Sequence, residues 1–439
     1  MRKAIFGSLL LFLLAMLIGM LSKPAAFERF FIAQAPIFDA AHYLKIATEG
    51  YVEPPLAAFY PLWPLLLKYV VLPLQSPHTV LIGSLLAFII FAFSLWPFFK
   101  VALRDLPLAA AFCLLCLYVL NPNSLFHILL YTESLTALCG SLFLLNTSLL
   151  LNSQESPSAT SPSAASPSAA SPSATSPSAT SPSAASPSTA SPSAASPSRT
   201  RSAVFAALSL FALSLARPVA LPLMASAGAA TLCVFYFRSN RPQDFFQHIA
   251  PRRWNNSLIL LTVATILIVV LAYIPYGLHA QQQYGHFFAP FDAQKFWDRK
   301  FGLHWDILFK PKSVSSSDNV LFWDIQAFYL PLLLAALPFL GRWRIVPQAF
   351  ARLGDDWLYW LCAFFAAAHA AIAFLTYPIF MSLARHVFAL PFFFYCVARI
   401  LKLFWEKTAV RKVAWGYAAL SFAFLVYWWS RYAREGWLG

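Results

Sequence analysis

Residues 38–64 read FDAAHYLKIATEGYVEPPLAAFYPLWP, shortly after a long apolar run at the start of the chain. A membrane-spanning chain usually offers only a short polar turn at such a place. Here it offers a carboxylate, Asp39, a histidine, His42, and a tyrosine, Tyr43. Residues three and four apart are neighbours on a helix, so Asp39, His42, Tyr43 and Ile46 share one face. Gly50 ends this predicted helix, and the prolines at 54, 55, 61 and 64 forbid a continuous span through the rest. The stretch therefore predicts an amphipathic turn or two at the membrane surface, followed by an aromatic, proline-broken segment. Such a shelf can hold a carboxylate against a lipid head group.

The 439 residues around it are 59% hydrophobic and 11% charged, with a mean hydropathy of +0.64. No soluble domain of this size needs so much apolar surface, so the composition predicts an all-α, multi-spanning membrane protein. The net charge of +14 invites nucleic acid as a partner. No basic patch with interleaved aromatics occurs outside the flanks of the apolar runs, and anchoring by cytosolic Lys and Arg explains the charge better. All six cysteines, at 113, 116, 139, 233, 362 and 396, lie within apolar runs. That placement indicates neither a disulfide framework nor a metal site. The CxxC spacing of Cys113 and Cys116 is read as helix packing, since redox and zinc sites need polar surroundings.

Apolar length and flanking charge predict about eleven crossings. They run over 1–21, 79–99, 106–120, 125–151, 202–216, 218–237, 258–276, 322–340, 357–376, 385–400 and 413–429. The first is read as a retained helix running outward. Residues 61–74 are read as a second interfacial helix within an external loop, 23–78. The chain then divides into an N-terminal membrane half, 1–151, a linker, 152–201, and a C-terminal membrane half, 202–439. The linker repeats SPSAA or SPSAT and holds no large apolar side chain, so it cannot bury enough surface to offset its ordering entropy. It is predicted to be a disordered cytosolic spacer. A second long external loop, 277–321, carries His279, His286, Asp292, Asp298, His304 and Asp306. Loops of that length between spans are usually functional.

Several blocks resemble the PIG-V-like mannosyltransferases, the family of the second GPI mannosyltransferase and its bacterial relatives. The order of Asp39, His42-Tyr43, Ile46-Ala47, Gly50-Tyr51 and the aromatic-Pro-Leu block is similar to that family's first non-cytosolic loop. Tyr131-Thr132-Glu133-Ser134-Leu135 resembles its Tyr-Ser/Thr-Glu-Ser block, Ala216-Arg217-Pro218 its Arg-containing turn, and residues 382–386 its late Arg block. Phe38 stands where that family usually has Trp, Phe59-Tyr60-Pro61 replaces Phe-Phe-Pro, and Arg217 is followed by Pro-Val rather than Asn-Gly. The resemblance implies a GT-C type glycosyltransferase. Its donor would be a polyprenyl-phosphate-mannose of the dolichyl type and its acceptor a lipid-linked glycan or other acceptor.

Independently of resemblance, the predicted topology gathers Asp39, His42, Glu133, Arg217, Tyr377, Arg385 and the 277–321 loop near the non-cytosolic face. Ionisable residues set in apolar segments are expensive and tend to be functional. Asp39 is the expected catalytic residue, because sugar transfer to a hydroxyl needs a carboxylate that takes its proton. Its competing role is a helix N-cap. His42, Tyr43 and Glu133 are candidates for binding the acceptor or the sugar. Tyr and His also suit any interface, and Glu133 also suits a helix cap. Arg217 and Arg385 are candidates for the donor phosphate, against simple snorkelling to the interface. No cofactor is expected. The scattered histidines, the lack of a Gly-rich phosphate loop and the lack of Asp-x-Asp give no support to a metal or a nucleotide-sugar donor. The expected setting is a bacterial plasma membrane rather than the endoplasmic reticulum, with membrane lipid around the spans. A transporter or flippase of a lipid-linked sugar is the alternative, although such proteins place their polar sites near the bilayer midplane between repeats.

Overall fold

Nine helices among the described residues are long and apolar enough to cross a membrane, which makes the chain an all-helical, multi-pass membrane protein. The computed structural model describes residues 2–28, 30, 38–153, 197–239, 255–297, 299–312, 318–376, 379–380 and 382–432. Most of the repeat linker, the arginines at 241, 252 and 253, Asp298 and Tyr377 lie outside the described residues.

The first span is α1 (Arg2–Leu21), and the quoted stretch forms α2 (Asp39–Glu49) and α3 (Leu62–Leu66). Then come α4 (Thr79–Phe98), the shorter α5 (Leu108–Val119), α6 (Glu133–Asn152), α7 (Pro197–Ala216) and α8 (Ala220–Arg238). The chain continues through α9 (Asn255–Tyr284), α10 (Asp318–Arg342) and α11 (Trp357–Thr376). It closes with α12 (Leu383–Phe388), α13 (Pro391–Phe404) and α14 (Thr408–Tyr432).

In lipid every backbone polar group must be bonded within the protein, which the helices do internally. Their outer faces stay apolar: Leu14, Phe93, Leu267 and Leu271 are exposed, as side chains facing acyl chains should be. Inner faces pack closely. A Cβ on Gly19 of α1 would come 2.5 Å from Cβ of Trp429 on α14, so only glycine lets the first and last spans approach this far. The basic residues Arg238 and Arg342 share one end of the bundle, where Arg342 donates to the carbonyls of Tyr236 (3.0 Å) and Ser239 (3.1 Å) and so completes the C-terminus of α8.

Four differences from the sequence reading bear on the site or the loops. The expected span 125–151 begins only at Glu133, because Pro122–His127 winds as a separate 3₁₀ turn after Asn121, whose side chain accepts from the amide of Asn123. The expected span 385–400 is split into α12 and α13, with Pro391 opening the second at the position where its missing N–H costs nothing. Helix α9 does not stop at 276 but continues to Tyr284, carrying Pro275 inside it, which shortens the second external loop. Helix α7 begins at Pro197, so the last residues assigned to the linker are helical. The pair α7 and α8 does break at Arg217, as the two short apolar runs predict.

Candidate functional site

Four segments far apart in sequence meet at the end of the bundle opposite Arg238 and Arg342. Asp39 opens α2, Glu133 opens α6, Arg217 sits in the break between α7 and α8, and Arg385 and His386 lie on α12. Each is at a helix end, where a side chain can turn inward without leaving the helix hydrogen bonds unmade.

Their side chains form one connected chain of charge. The Glu133 carboxylate is fully buried, and its Oε1 accepts from Nη1 of Arg217 at 2.8 Å and also from Nε of Arg385. Arg385 turns its Nη1 to Oδ2 of Asp39 at 2.7 Å. Arg217 sends its Nη2 to Nδ1 of His386 at 2.8 Å. The Arg385 guanidinium also lies over the rings of Tyr131 (4.5 Å to the centroid) and Phe126 (4.8 Å), which face it with their negative quadrupoles. The side chain of Asp39 is 23% exposed, against 0% for Glu133 and 7% for Arg385. Asp39 is thus the carboxylate of the set that a ligand can reach.

A cleft opens over this cluster. Asp39, Arg217, Ser382, Arg385 and His386 form its polar wall, and Phe59, Gln294, Trp297 and Arg299 face them. The second wall comes from the second external loop, which is held in place by backbone bonds. The amides of Lys300, Gly302 and His304 donate to the carbonyls of Thr376, Leu375 and Phe374 at 3.0, 2.9 and 3.1 Å, which satisfies the last turn of α11. Tyrosines tie the first loop to α9: the Tyr276 hydroxyl donates to Ala57 O (2.6 Å), and that of Tyr284 to Tyr51 O (3.0 Å). Trp297 then meets Phe59 edge-on at 5.8 Å.

Two backbone features single out this place. Of four non-glycine residues with positive φ in the described chain, Phe38 (φ 51°) and Ser382 (φ 56°) directly precede the helices that carry Asp39 and Arg385. Such conformations cost free energy and persist where the surroundings impose them. Ser382 gives α12 no side-chain cap; instead Oδ1 of Asp324, fully buried in α10, accepts from the amide of Ala384 at 2.8 Å. This bond fixes the first turn of the helix that presents Arg385 and His386.

The expected residues fare differently. The N-cap position of α2 is Phe38, so the carboxylate of Asp39 is spent on Arg385 and not on capping. Tyr43 lines the cleft, with its hydroxyl 3.5 Å from Thr132 Oγ1; burial, then the carboxylates of Asp39 and Glu133, push its phenol up, so it remains a neutral donor. His42 packs on the ring of Phe59 at 4.8 Å and is not part of the cleft wall. Glu133 is sealed behind the two arginines, its Oε2 without a partner among the described residues. Neither arginine snorkels outward: Arg217 and Arg385 are both buried and ion-paired. His279, His286 and His304 stay apart, His286 pairing with Asp292 at 2.7 Å and His304 bonding to Lys300 O at 2.9 Å. Among the described residues no group of three or more His, Cys, Asp or Glu is placed to hold a metal ion. Sequence reasoning passed over Asp324, Trp297 and Arg299. A lone carboxylate inside an apolar run was the signal for Asp324.

Neither a family model nor a curated protein matches the chain. Among solved structures, the archaeal oligosaccharyltransferase AglB from Archaeoglobus fulgidus, in complex with an inhibitory peptide and a dolichol-phosphate, superposes with a TM-score of 0.45 at 10% identity. The alignment covers 98% of this chain and 55% of that one, so the chain spans about half the length of the protein it matches. A likeness of this degree carries no functional argument.

Proposed function

We propose that this chain is a GT-C type glycosyltransferase that moves a mannosyl residue from a polyprenyl-phosphate-mannose donor to a lipid-linked glycan or other acceptor. The work takes place on the non-cytosolic face, in a bacterial plasma membrane. The observation that supports this reading best is the cleft in which Asp39 stands beside Arg217 and Arg385. Asp39 takes the proton of the acceptor hydroxyl as that oxygen bonds to the anomeric carbon. The bond from that carbon to the phosphate oxygen breaks with inversion, and the phosphate leaves as an anion that needs no strong general acid. Arginine suits the anion because its guanidinium stays charged and presents a fork of donors.

Arg217 and Arg385 together carry the charge that Asp39 and Glu133 balance, and Arg299 adds a further cation to the cleft wall. Each of the paired arginines spends two N–H groups on its partners and retains others of its five for a ligand. Glu133 serves from behind, as the buried counter-charge that holds both guanidiniums at the cleft. Trp297 and Phe59 offer ring surfaces to the sugar and to the first isoprene units. A flippase would carry its polar site near the midplane, whereas these residues gather at helix ends. The test is incubation of the purified protein with radiolabelled polyprenyl-phosphate-mannose and membrane lipids. Label in a new lipid-linked product supports the reading; a donor that is bound or translocated but never consumed contradicts it.

A further inference from the structure

His386 is bonded in a way that fixes its chemistry. Nη2 of Arg217 lies 2.8 Å from its Nδ1, and a guanidinium has only N–H donors to offer. Nδ1 must therefore be the acceptor, and the imidazole proton resides on Nε2. No carboxylate among the described residues bonds to His386. Around it stand the guanidinium of Arg217, paired with Glu133, that of the adjacent Arg385, paired with Glu133 and Asp39, and, in the same cleft lining, that of Arg299. The ring of His369 stacks on it at 5.7 Å and keeps its own Nδ1 on the carbonyl of Phe365 at 2.8 Å. Protonating His386 would remove the acceptor from Arg217 and add another positive charge to a cleft already lined by Arg217, Arg385 and Arg299.

Nε2 of His386 has no hydrogen-bond partner among the described residues and is not sealed in, and the residue lines the cleft. We propose that His386 is a further substrate-binding residue of this cleft, a lastingly neutral imidazole whose Nε2–H donates to a phosphate oxygen of the bound polyprenyl-phosphate. The inference rests on the phosphate-donor reading above, and it makes Arg217 the residue that fixes the tautomer as well as a source of charge. A histidine in this setting is neither a general base nor a general acid. Its Nε2–H points at the ligand throughout the reaction, and Asp324, by capping α12, keeps the ring in place.

Two measurements test it on the purified, full-length protein. In histidine-selective ¹⁵N spectra, with the signal assigned by its loss in His386→Gln, the wild type should show an unprotonated Nδ1 and a protonated Nε2. Adding polyprenyl phosphate should move the Nε2 signal far more than that of Nδ1. In equilibrium binding of polyprenyl phosphate, His386→Phe should weaken affinity about tenfold, in line with one hydrogen bond to a charged group. His386→Gln, whose amide can accept from Arg217 and still donate to the ligand, should stay within about threefold of wild type. An Nδ1–H tautomer, an imidazolium, or equal affinity in the Phe variant overturns the proposal while leaving the phosphate-donor reading intact. Should His386→Phe fail to fold, the wild-type spectrum decides. If the wild type binds no polyprenyl phosphate at all, the phosphate-donor reading falls, and the ligand role of His386 with it.

Discussion

Glu133 is the most deeply buried carboxylate of the cluster, with a side chain 0% exposed against 23% for Asp39. It is shared by two guanidiniums, so removing its charge leaves Arg217 without a carboxylate and Arg385 with Asp39 alone. Breaking such a pair from one side costs about 3–5 kcal/mol, whereas a surface pair contributes less than about 1. Glu133→Gln should therefore lower the melting temperature sharply and raise the donor KM of the protein that remains folded. By contrast Lys45→Ala, which removes an exposed pair with Glu53, should leave the melting curve unchanged. Thermal unfolding of both variants in detergent or nanodiscs checks this; equal midpoints would mean that Glu133 is not the anchor of the cluster. Asp39, Arg217 and Arg385 were legible in the sequence because a charge in an apolar setting is conspicuous. What could not be read was that they bond to one another, since that depends on which helix ends meet. The same holds for Trp297 and Arg299, which in a polar loop look like any other aromatic and any other cation.

At the scale of elements, α12 is the part most dependent on a distant residue. A helix of six residues has little stability of its own, and its first turn relies on Asp324 of α10. An N-cap acceptor contributes about 1 kcal/mol. Asp324→Asn, which keeps an acceptor oxygen, should retain most donor affinity. Asp324→Leu should raise the donor KM several-fold by letting Arg385 and His386 drift. Equal KM values in the two variants would show that the cap does not position the cleft. The helices themselves follow from long apolar runs, so their order was legible, although nine among the described residues are long and apolar enough to cross where about eleven crossings were expected. The turn at 121–124 was legible as well, but its extension to residue 132 and the break at 389–390 were not, because Pro and Asn only permit a break; bonds across the fold hold it, the Asn121 amide donating to Tyr118 O (2.6 Å) and Phe388 O (3.2 Å). The extension of α9 to Tyr284 was hidden for the opposite reason, since a polar Gln-rich segment continues a helix once its tyrosines find carbonyls in the first loop.

For the whole molecule, the proposed orientation puts the cleft outside and the clusters around Arg342 and Lys402 in the cytosol. Single cysteines at Lys45 or Lys300, in a cysteine-free background, should react with an impermeant maleimide added outside, and cysteines at Thr175 or Lys412 should not. Outside labelling at 175 would reverse the orientation and with it the side on which donor must be supplied. Deleting residues 161–195 should leave turnover within about twofold, because closure terms change slowly with loop length. A well-expressed deletion without activity would mean that the repeat contributes to binding. The proposed chemistry is narrower than either and turns on one group: the carboxylate of Asp39 removes a proton during sugar transfer. Single-turnover transfer from radiolabelled polyprenyl-phosphate-mannose by Asp39→Asn, with donor affinity measured on the same preparation, isolates that step. The expected rate is lower by about 10² or more, with donor affinity near wild type. Wild-type turnover in that variant would remove Asp39 as the base.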